Sequence, residues 1–361
     1  MNPVSAPPVP KRRPRLDPSI FHLPVDKMRA GYYSDKYFTR AREILLAEAI
    51  RPRVTMQVFG KAHAYLGGSD EAIAILKLCA IEWDDLEVWA LHDGDEIQPW
   101  EPVLLIEGPY DAFAHLETLY LGVLARRTKV GTNTRRVVDA ARPKEVMFFP
   151  ARHDHWLVQT GDGYAAHVAG AIGVSTDAQA SWWGSQGVGT VPHALIAAMG
   201  GDTVAATLKF AQHIDPSVRL VTLVDFDNDC VTTSLKVAEA LGDRLYGVRI
   251  DTSEMLVDRS VIPQMGTFRP TGVCPQLVEN VRRALDQRGF NRVKIVVSGG
   301  FTVEKIQEFS RLGVPVDGYG VGSSLFQGRY DFTADVVKVE GRPCAKVGRE
   351  YRPNPRLEHV T

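Results

Sequence analysis

Two glycine-rich segments, each at the end of a short apolar run, restrict this chain more than any other part of its sequence. The apolar run at 293–297 stops at SGG (298–300), and the run at 314–319 stops at GVGS (320–323). Glycine lets backbone N–H groups approach an anion because no Cβ stands in the way. In a (β/α) barrel, the loops after the last two strands commonly hold a phosphate group. The pattern therefore predicts a phosphate site at two neighbouring strand ends, with tight turns alone as the plainer alternative.

After Pro143 the sequence alternates short apolar runs with amphipathic segments. Regular alternation of strand and helix predicts a parallel sheet, and this number of units indicates an α/β barrel with its active site at the strand carboxyl ends. Fewer than eight strands are recognisable, so the barrel is predicted to be irregular. We assign it to residues 144–330, with strands at 146–149, 188–191, 220–224, 245–250, 294–297 and 316–319.

The rest of the sequence predicts a separate N-terminal module. Residues 21–143 mix strands and helices, and they include a long helical stretch at 112–141 that we expect to break near Gly131. Residues 331–361 are expected to return to this module. Residues 1–20 are rich in proline and in basic side chains, which predicts a flexible tail.

Composition excludes several classes of protein. A formal net charge of -1 argues against general nucleic-acid binding, although it says nothing about small anionic ligands. No apolar run approaches the roughly 20 residues that a membrane span needs. The four cysteines are far apart in the sequence, which argues against a zinc site or a disulfide framework and favours the reducing cytoplasm.

Polar side chains follow the predicted strands, where a barrel collects its active-site residues. Arginine and backbone amides suit phosphate, while carboxylates suit sugar hydroxyls and Mg²⁺. The set predicts a site for a phosphorylated sugar together with a metal ion whose ligands the sequence does not define. The candidates are Phe149, Arg152, His153, Thr176, His193, Asp225, Asp251, Ser298, Gly299, Gly300, Gly320, Gly322 and Ser323.

Eight stretches, taken in this order, resemble the nicotinate phosphoribosyltransferase family in its shorter, archaeal-like branch. Any one of them would be a weak signal, but together they are specific and cover roughly residues 24–329. They are SDKYFTRAREIL (34–45), EPVLLIEGPYDAFAHLETLYLGVL (101–124), FFPARHDH (148–155), GTVPHALI (189–196), LVDFDND (223–229), GVRIDTSE (247–254), SGGFTVEKI (298–306) and DGYGVGSSL (317–325).

The resemblance implies transfer of phosphoribose from phosphoribosyl pyrophosphate to nicotinate, which gives nicotinate mononucleotide and pyrophosphate in NAD biosynthesis. It implies Mg²⁺ as a cofactor and ATP as a co-substrate. The implied fold is that of a type II phosphoribosyltransferase, in which an N-terminal α/β sandwich precedes an irregular α/β barrel. Active sites of this family lie at a dimer interface, so a cytoplasmic homodimer or a multiple of it is expected.

The resemblance also implies roles for single residues. Tyr37 matches a tyrosine that stacks on the pyridine ring in a neighbouring protomer's site, and Phe149 would form the opposite face of that clamp. Arg152 would bind the ring carboxylate or the pyrophosphate, and Asp251 would bind the ribose hydroxyls. His193 matches the histidine that family members phosphorylate with ATP. The 5′-phosphate cradle would comprise Ser298, Gly299, Gly300, Gly320, Gly322 and Ser323.

One departure from the family pattern keeps alternatives open. His153 stands where a second arginine is common, and histidine cannot form the two-pronged contact that arginine makes with a carboxylate. The first alternative is quinolinate phosphoribosyltransferase, which shares the fold. It would need a more basic pocket, for which Arg126, Arg127 and Lys129 are candidates. The second is a catalytically silent homologue that binds a ligand.

Overall fold

The computed structural model describes residues 13–360, which form two compact units. The first comprises the described residues up to Ala125 together with those from Asp331 onward, and the second is Arg126–Tyr330. Among the described residues, no helix combines the length and the apolar character needed to span a membrane.

The strands, in chain order, are β1 (Arg53–Gly60), β2 (Ala64–Tyr65), β3 (Glu87–Ala90), β4 (Glu96–Ile97), β5 (Pro102–Pro109), β6 (Glu145–Phe148), β7 (Gly173–Val174), β8 (Val221–Leu223), β9 (Gly247–Ile250), β10 (Lys294–Val297), β11 (Gly318–Val321), β12 (Phe332–Val339), β13 (Arg342–Pro343) and β14 (Glu358–His359). The α-helices are α1 (Val25–Arg29), α2 (Lys36–Ala47), α3 (Ser69–Cys79), α4 (Tyr110–Phe113), α5 (Glu117–Ala141), α6 (Gln159–Val168), α7 (Asp177–Ala180), α8 (His193–Ala198), α9 (Thr203–His213), α10 (Cys230–Leu241), α11 (Pro275–Gln287) and α12 (Val303–Arg311).

The first unit is built on a six-stranded sheet in the order β13-β12-β1-β5-β3-β14. Strand β1 is central, and all of it except Arg53 is buried. It pairs antiparallel with β5 on one side and with β12 on the other, so the segment after Asp331 supplies one of its two neighbours. Val58 and Ile106 are fully buried in this sheet. The first unit therefore has its own sheet and its own core.

The second unit contains a six-stranded parallel sheet in the order β7-β6-β11-β10-β9-β8. Its inner strands are mostly apolar, as expected of a parallel sheet that is covered on both sides; Val248, Val297 and Val321 are fully buried. The sheet curls into a half-barrel, which confirms the predicted α/β fold with an irregular barrel and a separate N-terminal sheet domain. Because all these strands are parallel, their carboxyl ends meet at one edge, and the loops that follow them lie together.

Local predictions differ from the structure at three places. Residues 188–191 form no strand, and their last residue pairs with Thr222 through an isolated parallel bridge. Strand β7 has two residues, which is too short to give an alternation pattern in the sequence. Helix α5 is unbroken at Gly131, because a glycine costs only about 1 kcal/mol in a helix and the neighbouring Val130 is fully buried in the core.

The N-terminal tail predicted at residues 1–20 lies partly outside the described residues. In the described part, Arg15 Nη1 donates to Asp70 Oδ1 at 2.9 Å, and Arg15 Nη2 donates to the carbonyl oxygen of Ala90 at 3.0 Å. A 3-10 turn follows at Pro18–Phe21. The sequence predicted that ordered structure starts near Phe21. It starts earlier in the structure, because the guanidinium of Arg15 bonds to a carboxylate and to carbonyl oxygens of the first unit.

Candidate active site

A cavity of about 860 Å³ lies among the loops that follow the parallel strands of the second unit. Its volume is in the range of sites that take small-molecule ligands. Of the residues predicted from the sequence, all but Tyr37 and Asp225 line it. Those that line it are Phe149, Arg152, His153, Thr176, His193, Asp251, Ser298, Gly299, Gly300, Gly320, Gly322 and Ser323.

The first glycine loop owes its shape to backbone angles that other residues rarely adopt. Gly299 and Gly300 have φ of +81° and +72°. They lead into α12, whose N-cap Thr302 accepts a hydrogen bond from the amide of Lys305 at 3.4 Å. The first amides of a helix have no acceptor within the helix, and the helix dipole is positive at this end. This loop is therefore suited to an anion.

The second glycine loop is glycine-rich because two side chains pack directly on its backbone. A Cβ at Gly320 would lie 2.6 Å from ring atoms of Phe149, and a Cβ at Gly322 would lie 3.0 Å from Cε1 of His153. The amide of Phe149 also donates to the carbonyl oxygen of Val321 at 2.8 Å. An aromatic ring and an imidazole are thereby held against the end of β11, at the wall of the cavity.

A hydrogen-bond network around Arg249 connects the ends of β9 and β10. Arg249 Nε donates to Ser298 Oγ at 2.8 Å, and Nη2 donates to Asp251 Oδ2 at 3.2 Å. Ser298 Oγ in turn donates to Asp251 Oδ1 at 2.6 Å. Arg249 also donates to Thr190 Oγ1 at 3.3 Å, and its guanidinium carbon lies 5.2 Å from the ring centroid of Phe149. One cation thus orients a carboxylate, a hydroxyl and an aromatic ring at the same cavity.

His193 is the first residue of α8 and is paired with a carboxylate from a different loop. Its Nε2 lies 2.9 Å from Asp225 Oδ1; the side chain of His193 is 42% exposed, and that of Asp225 is 7% exposed. The hydrogen bond to Asp225 raises the pKa of His193 above its usual value, against the opposing effect of partial burial. Because an ionised carboxylate can only accept, Nε2 carries the proton and Nδ1 of the neutral ring keeps its lone pair. The hydrogen bond to Asp225 therefore fixes the tautomer of His193 and leaves Nδ1 as the nucleophilic nitrogen.

Two of the three basic residues predicted to serve a second carboxylate, Arg126 and Arg127, form ion pairs within the second unit. Asp162, 1% exposed, accepts from Arg126 Nη2 at 2.6 Å and from Arg127 Nη1 at 2.8 Å. Arg126 also pairs with Asp154. A Cβ at Gly161 would fall within 2.3 Å of the Arg127 guanidinium, so that side chain packs directly on the backbone of α6. Both arginines form structural ion pairs with Asp162, and neither lines the cavity.

The remaining predicted residues differ in their surroundings. Thr176 caps α7 and donates to Gln159 Oε1 at 2.9 Å. Arg152 is exposed in the 3-10 turn Ala151–His153, at the rim of the cavity. Tyr37 belongs to α2 of the first unit, where its side chain is 63% exposed.

Comparison with known proteins decides the family. Residues 35–128 match the N-terminal domain of quinolinate phosphoribosyl transferase, and residues 130–327 match its C-terminal domain. The chain belongs to this quinolinate phosphoribosyltransferase family.

Within the quinolinate phosphoribosyltransferase family, the curated relatives with similar sequences carry a related name. A nicotinate phosphoribosyltransferase of Mycobacterium tuberculosis is 30% identical over 274 residues, which are 73% of this chain and 56% of that protein. One from Bacillus subtilis is 23% identical over 66% of this chain and 45% of its own length. The chain thus spans about half the length of these relatives.

Solved structures of quinolinate phosphoribosyltransferase relatives share the fold described above. Nicotinate-nucleotide pyrophosphorylase from Pyrococcus furiosus is 35% identical, with a TM-score of 0.78 over 93% of this chain and 84% of that chain. Human nicotinic acid phosphoribosyltransferase is 18% identical, with a TM-score of 0.67 over 86% of this chain and 75% of its own, a likeness that concerns the fold alone. Both agree with a type II phosphoribosyltransferase architecture.

The residues predicted from the sequence did not include Arg249, although Arg249 contacts three of them, Ser298, Asp251 and Phe149. The sequence could have indicated Arg249, because side chains two positions apart on a strand point to the same face. Arg249 therefore lies on the same face of the chain as Asp251, which the sequence did single out. Asp225 is also predicted to bind the substrate; in the structure it does not line the cavity, and its Oδ1 lies 2.9 Å from Nε2 of His193.

Proposed function

We propose that the chain is a nicotinate phosphoribosyltransferase, which forms nicotinate mononucleotide and pyrophosphate from nicotinate and phosphoribosyl pyrophosphate. The observation that carries the proposal is His193, which is held by Asp225 and lines the same cavity as the glycine loops and Asp251. A phosphorylated histidine has a use in a transfer that consumes ATP, and it has none in the quinolinate reaction. The names of the relatives from Mycobacterium tuberculosis and Bacillus subtilis support the same assignment.

The donor fits the chemistry of the cavity. In this proposal the amides of the two glycine loops bind the 5′-phosphate, and Asp251 binds the ribose hydroxyls. Arg249 orients Asp251 and Ser298 through its hydrogen bonds. The guanidinium groups of Arg152 and Arg249 favour a ligand with several negative charges.

The acceptor site is formed by Phe149 and Arg152. The ring of Phe149, fixed against Gly320, offers a flat face to the pyridine ring. The guanidinium of Arg152 pairs with the ring carboxylate. Holding the acceptor nitrogen in line with the anomeric carbon supplies much of the rate enhancement, because the nitrogen itself is the nucleophile. Negative charge develops on the leaving pyrophosphate, and the positive side chains of the cavity stabilise it.

Mg²⁺ fits this site as an ion carried with the donor. Within residues 13–360, no group of three or more His, Cys, Asp or Glu side chains could hold a metal alone. Mg²⁺ commonly binds substrate phosphates together with one or two carboxylates and water. The carboxylate of Asp251, 22% exposed at the cavity, offers such a contact. When bound, the ion neutralises charge on the pyrophosphate.

His193 is the residue that accepts the γ-phosphoryl group of ATP in this proposal. Nδ1 of the neutral imidazole attacks the γ-phosphorus, the bond to the ADP oxygen breaks, and the proton on Nε2 stays on the hydrogen bond to Asp225. Because a protonated imidazole has no lone pair, this step becomes faster as the pH rises through the raised pKa of His193. Later hydrolysis of the phosphohistidine links ATP consumption to phosphoribosyl transfer.

A quinolinate phosphoribosyltransferase is the second candidate. The family match and the relative from Pyrococcus furiosus favour it. Quinolinate carries two carboxylates, so its site calls for additional cations. The ion pairs of Arg126 and Arg127 with Asp162 count against that reading, since they commit both arginines elsewhere.

We also propose that the protein is a cytoplasmic homodimer or a multiple of it. The exposed ring of Tyr37 supports a role for that residue in the site of a second copy. Ile44, two turns along the same helix and on the same face, is also exposed, which is consistent with a contact surface there. The cysteines Cys79, Cys230, Cys274 and Cys344 are all free thiols, which suits a reducing compartment.

The test is acceptor preference. Purified protein is incubated with phosphoribosyl pyrophosphate, Mg²⁺ and ATP, with either nicotinate or quinolinate, and the mononucleotide is quantified by chromatography. We expect nicotinate to be consumed faster, with ADP formed alongside it. Turnover of quinolinate with release of CO₂, and none of nicotinate, would establish the second candidate. Binding of ligands without turnover of either would indicate a catalytically silent homologue.

A further inference from the structure

Asn133, on the part of α5 that belongs to the second unit, bonds to two carbonyl groups of the segment that follows β11. Its Nδ2 donates to the carbonyl oxygen of Leu325 at 3.1 Å and to that of Gln327 at 2.8 Å. Both N–H bonds of the side-chain amide are thereby used on one short segment. None of the roles described above involves this residue.

The segment that Asn133 contacts is part of the cavity wall. It contains the 3-10 turn Ser323–Phe326, and Ser323, Ser324 and Gln327 all line the cavity. Ser324 Oγ donates to the carbonyl oxygen of Phe301 at 2.9 Å, which ties the second glycine loop to the first. The segment is therefore held from two sides, by Ser324 and by Asn133.

The bonds to Asn133 fix the orientation of peptide groups, because a peptide bond is planar. Holding the carbonyl groups of Leu325 and Gln327 also sets the N–H groups of the residues that follow them. Arg126 adds a second contact from the same helix, since its guanidinium carbon lies 4.7 Å from the ring centroid of Phe326. Asparagine is a weak helix former, so its presence within α5 is explained by these bonds rather than by the helix.

We propose that Asn133 is a positioning residue for the phosphate group of the substrate. It holds the 323–327 segment in the conformation in which the second glycine loop receives a sugar 5′-phosphate. This inference rests on the proposed phosphate site in the glycine loops. Asn133 lies behind the loop, and it acts on the ligand through the backbone it supports.

The test compares Asn133→Ala and Asn133→Asp with the wild-type protein. Alanine is the best helix former, so α5 is retained, while aspartate keeps the shape of the side chain and turns both donors into acceptors. Calorimetry with ribose 5-phosphate is the first readout. Because Asn133→Ala removes two hydrogen bonds that hold the segment, we expect a Kd roughly tenfold higher or more. Asn133→Asp should weaken binding further, because a carboxylate faces two carbonyl oxygens.

The second readout separates positioning from general loosening. We expect KM for phosphoribosyl pyrophosphate to rise by about the same factor as the Kd, with KM for nicotinate and kcat close to wild type. The matched control is Asn280→Ala. Asn280 is 6% exposed, and its Nδ2 donates to the carbonyl oxygen of Ser260 at 3.1 Å, away from the cavity lining. It should lower Tm without changing the Kd for ribose 5-phosphate.

The outcomes distinguish this inference from the proposed function. A wild-type protein that does not bind ribose 5-phosphate overturns the phosphate site and this inference with it. Tight binding by wild type and equally tight binding by both Asn133 variants overturns the positioning role alone. Equal weakening by Asn133→Ala and Asn280→Ala also overturns it, because the effect would then be one of stability.

Discussion

The carboxylate of Asp225, nearly buried, lies 2.9 Å from Nε2 of His193, and the imidazole of His193 is 42% exposed and lines the cavity. A histidine in this arrangement has a set tautomer, a raised pKa and a free ring nitrogen at the ligand site. This relationship separates the proposed ATP-linked reaction from phosphoribosyl transfer that needs no histidine.

Removal of the imidazole should separate ATP use from transfer. We expect His193→Ala to abolish ATP hydrolysis and to leave a slow, ATP-independent formation of nicotinate mononucleotide. The measurement is ADP release and mononucleotide formation in the same reaction. ATP consumption that survives in the variant would show that another residue accepts the phosphoryl group.

Replacement of the carboxylate should lower the pKa of His193. Asp225 stabilises the charged imidazolium, which raises the pKa, so Asp225→Asn removes this stabilisation and the pKa falls toward its ordinary value. The pH at which ATP hydrolysis reaches half its maximum should shift down with it. Histidine NMR titrations of the two proteins check the pKa directly. An unchanged titration of the His193 resonance would contradict the role given to Asp225.

The guanidinium of Arg249 should be difficult to replace. A lysine at this position cannot bond to Ser298, Asp251 and Thr190 together, because it lacks the planar fork. We expect Arg249→Lys to reduce kcat/KM by on the order of 10²-fold, as a small misplacement of substrate-binding groups does. Circular dichroism should show an intact fold. The control is Arg244→Lys, whose arginine bonds to the carbonyl oxygen of Pro216 outside the cavity, and this variant should keep its activity.

A methyl group at Gly320 should disturb the acceptor more than the donor. The added Cβ would lie 2.6 Å from the ring of Phe149, so the ring must move. Overpacking of this kind costs about 1–3 kcal/mol, and we expect KM for nicotinate to rise about tenfold or more. KM for phosphoribosyl pyrophosphate should change less. Gly122→Ala is the control: its Cβ meets nothing within 4 Å in α5, and the variant should gain up to about 1 kcal/mol of stability.

The first unit should lose stability as the pH rises. Burial, followed by the charge of Asp70, raises the pKa of Asp93 to about 8. A carboxyl group whose pKa is raised in the folded state contributes stability below its unfolded pKa, and that contribution is lost as the pH rises through about 8. Asp93→Asn keeps an acceptor for the amide of Ser69 but cannot ionise.

Urea unfolding at pH 6 and at pH 9 tests this prediction. We expect the wild type to lose more stability between these values than Asp93→Asn does, by roughly 1 kcal/mol or more, since one unit of pKa shift corresponds to about 1.4 kcal/mol. Asp84→Asn, which changes an exposed acid on the same unit, is the control. Parallel losses in the wild type and in Asp93→Asn would contradict the raised pKa.

The site residues at strand ends were predictable from the sequence, because residues that follow parallel strands lie at the same edge of the sheet. Parallel strands end at a common edge, so Phe149, Asp251 and Ser298 could be assigned to one site from the order of apolar runs alone. Contacts that depend on side-chain direction were harder to foresee. To predict the contact of Arg249 in β9 with Ser298, one must know which face of the strand points into the cavity.

Other features lay beyond sequence reasoning because they depend on distant partners. Strand β7 is too short to show a period, and it exists because β6 lies beside it. The pairing of Arg126 with Asp162 joins residues far apart in the chain, and sequence spacing gives no sign of it. Tyr37 belongs to the first unit, and its proposed role in another protomer remains a prediction.

The pairing of β1 with β12 has a consequence for the order of events during synthesis. When a ribosome has released the chain up to residue 330, the whole second unit is available, but β1 still lacks one of its two neighbours. We therefore expect the second unit to fold on the nascent chain first, although most residues of the first unit precede it in the sequence. Until residues 332–339 emerge, the open edge of β1 can pair with a strand of another chain. Limited proteolysis of ribosome-stalled chains that end at residue 330 should yield a protected fragment from the second unit and none from the first.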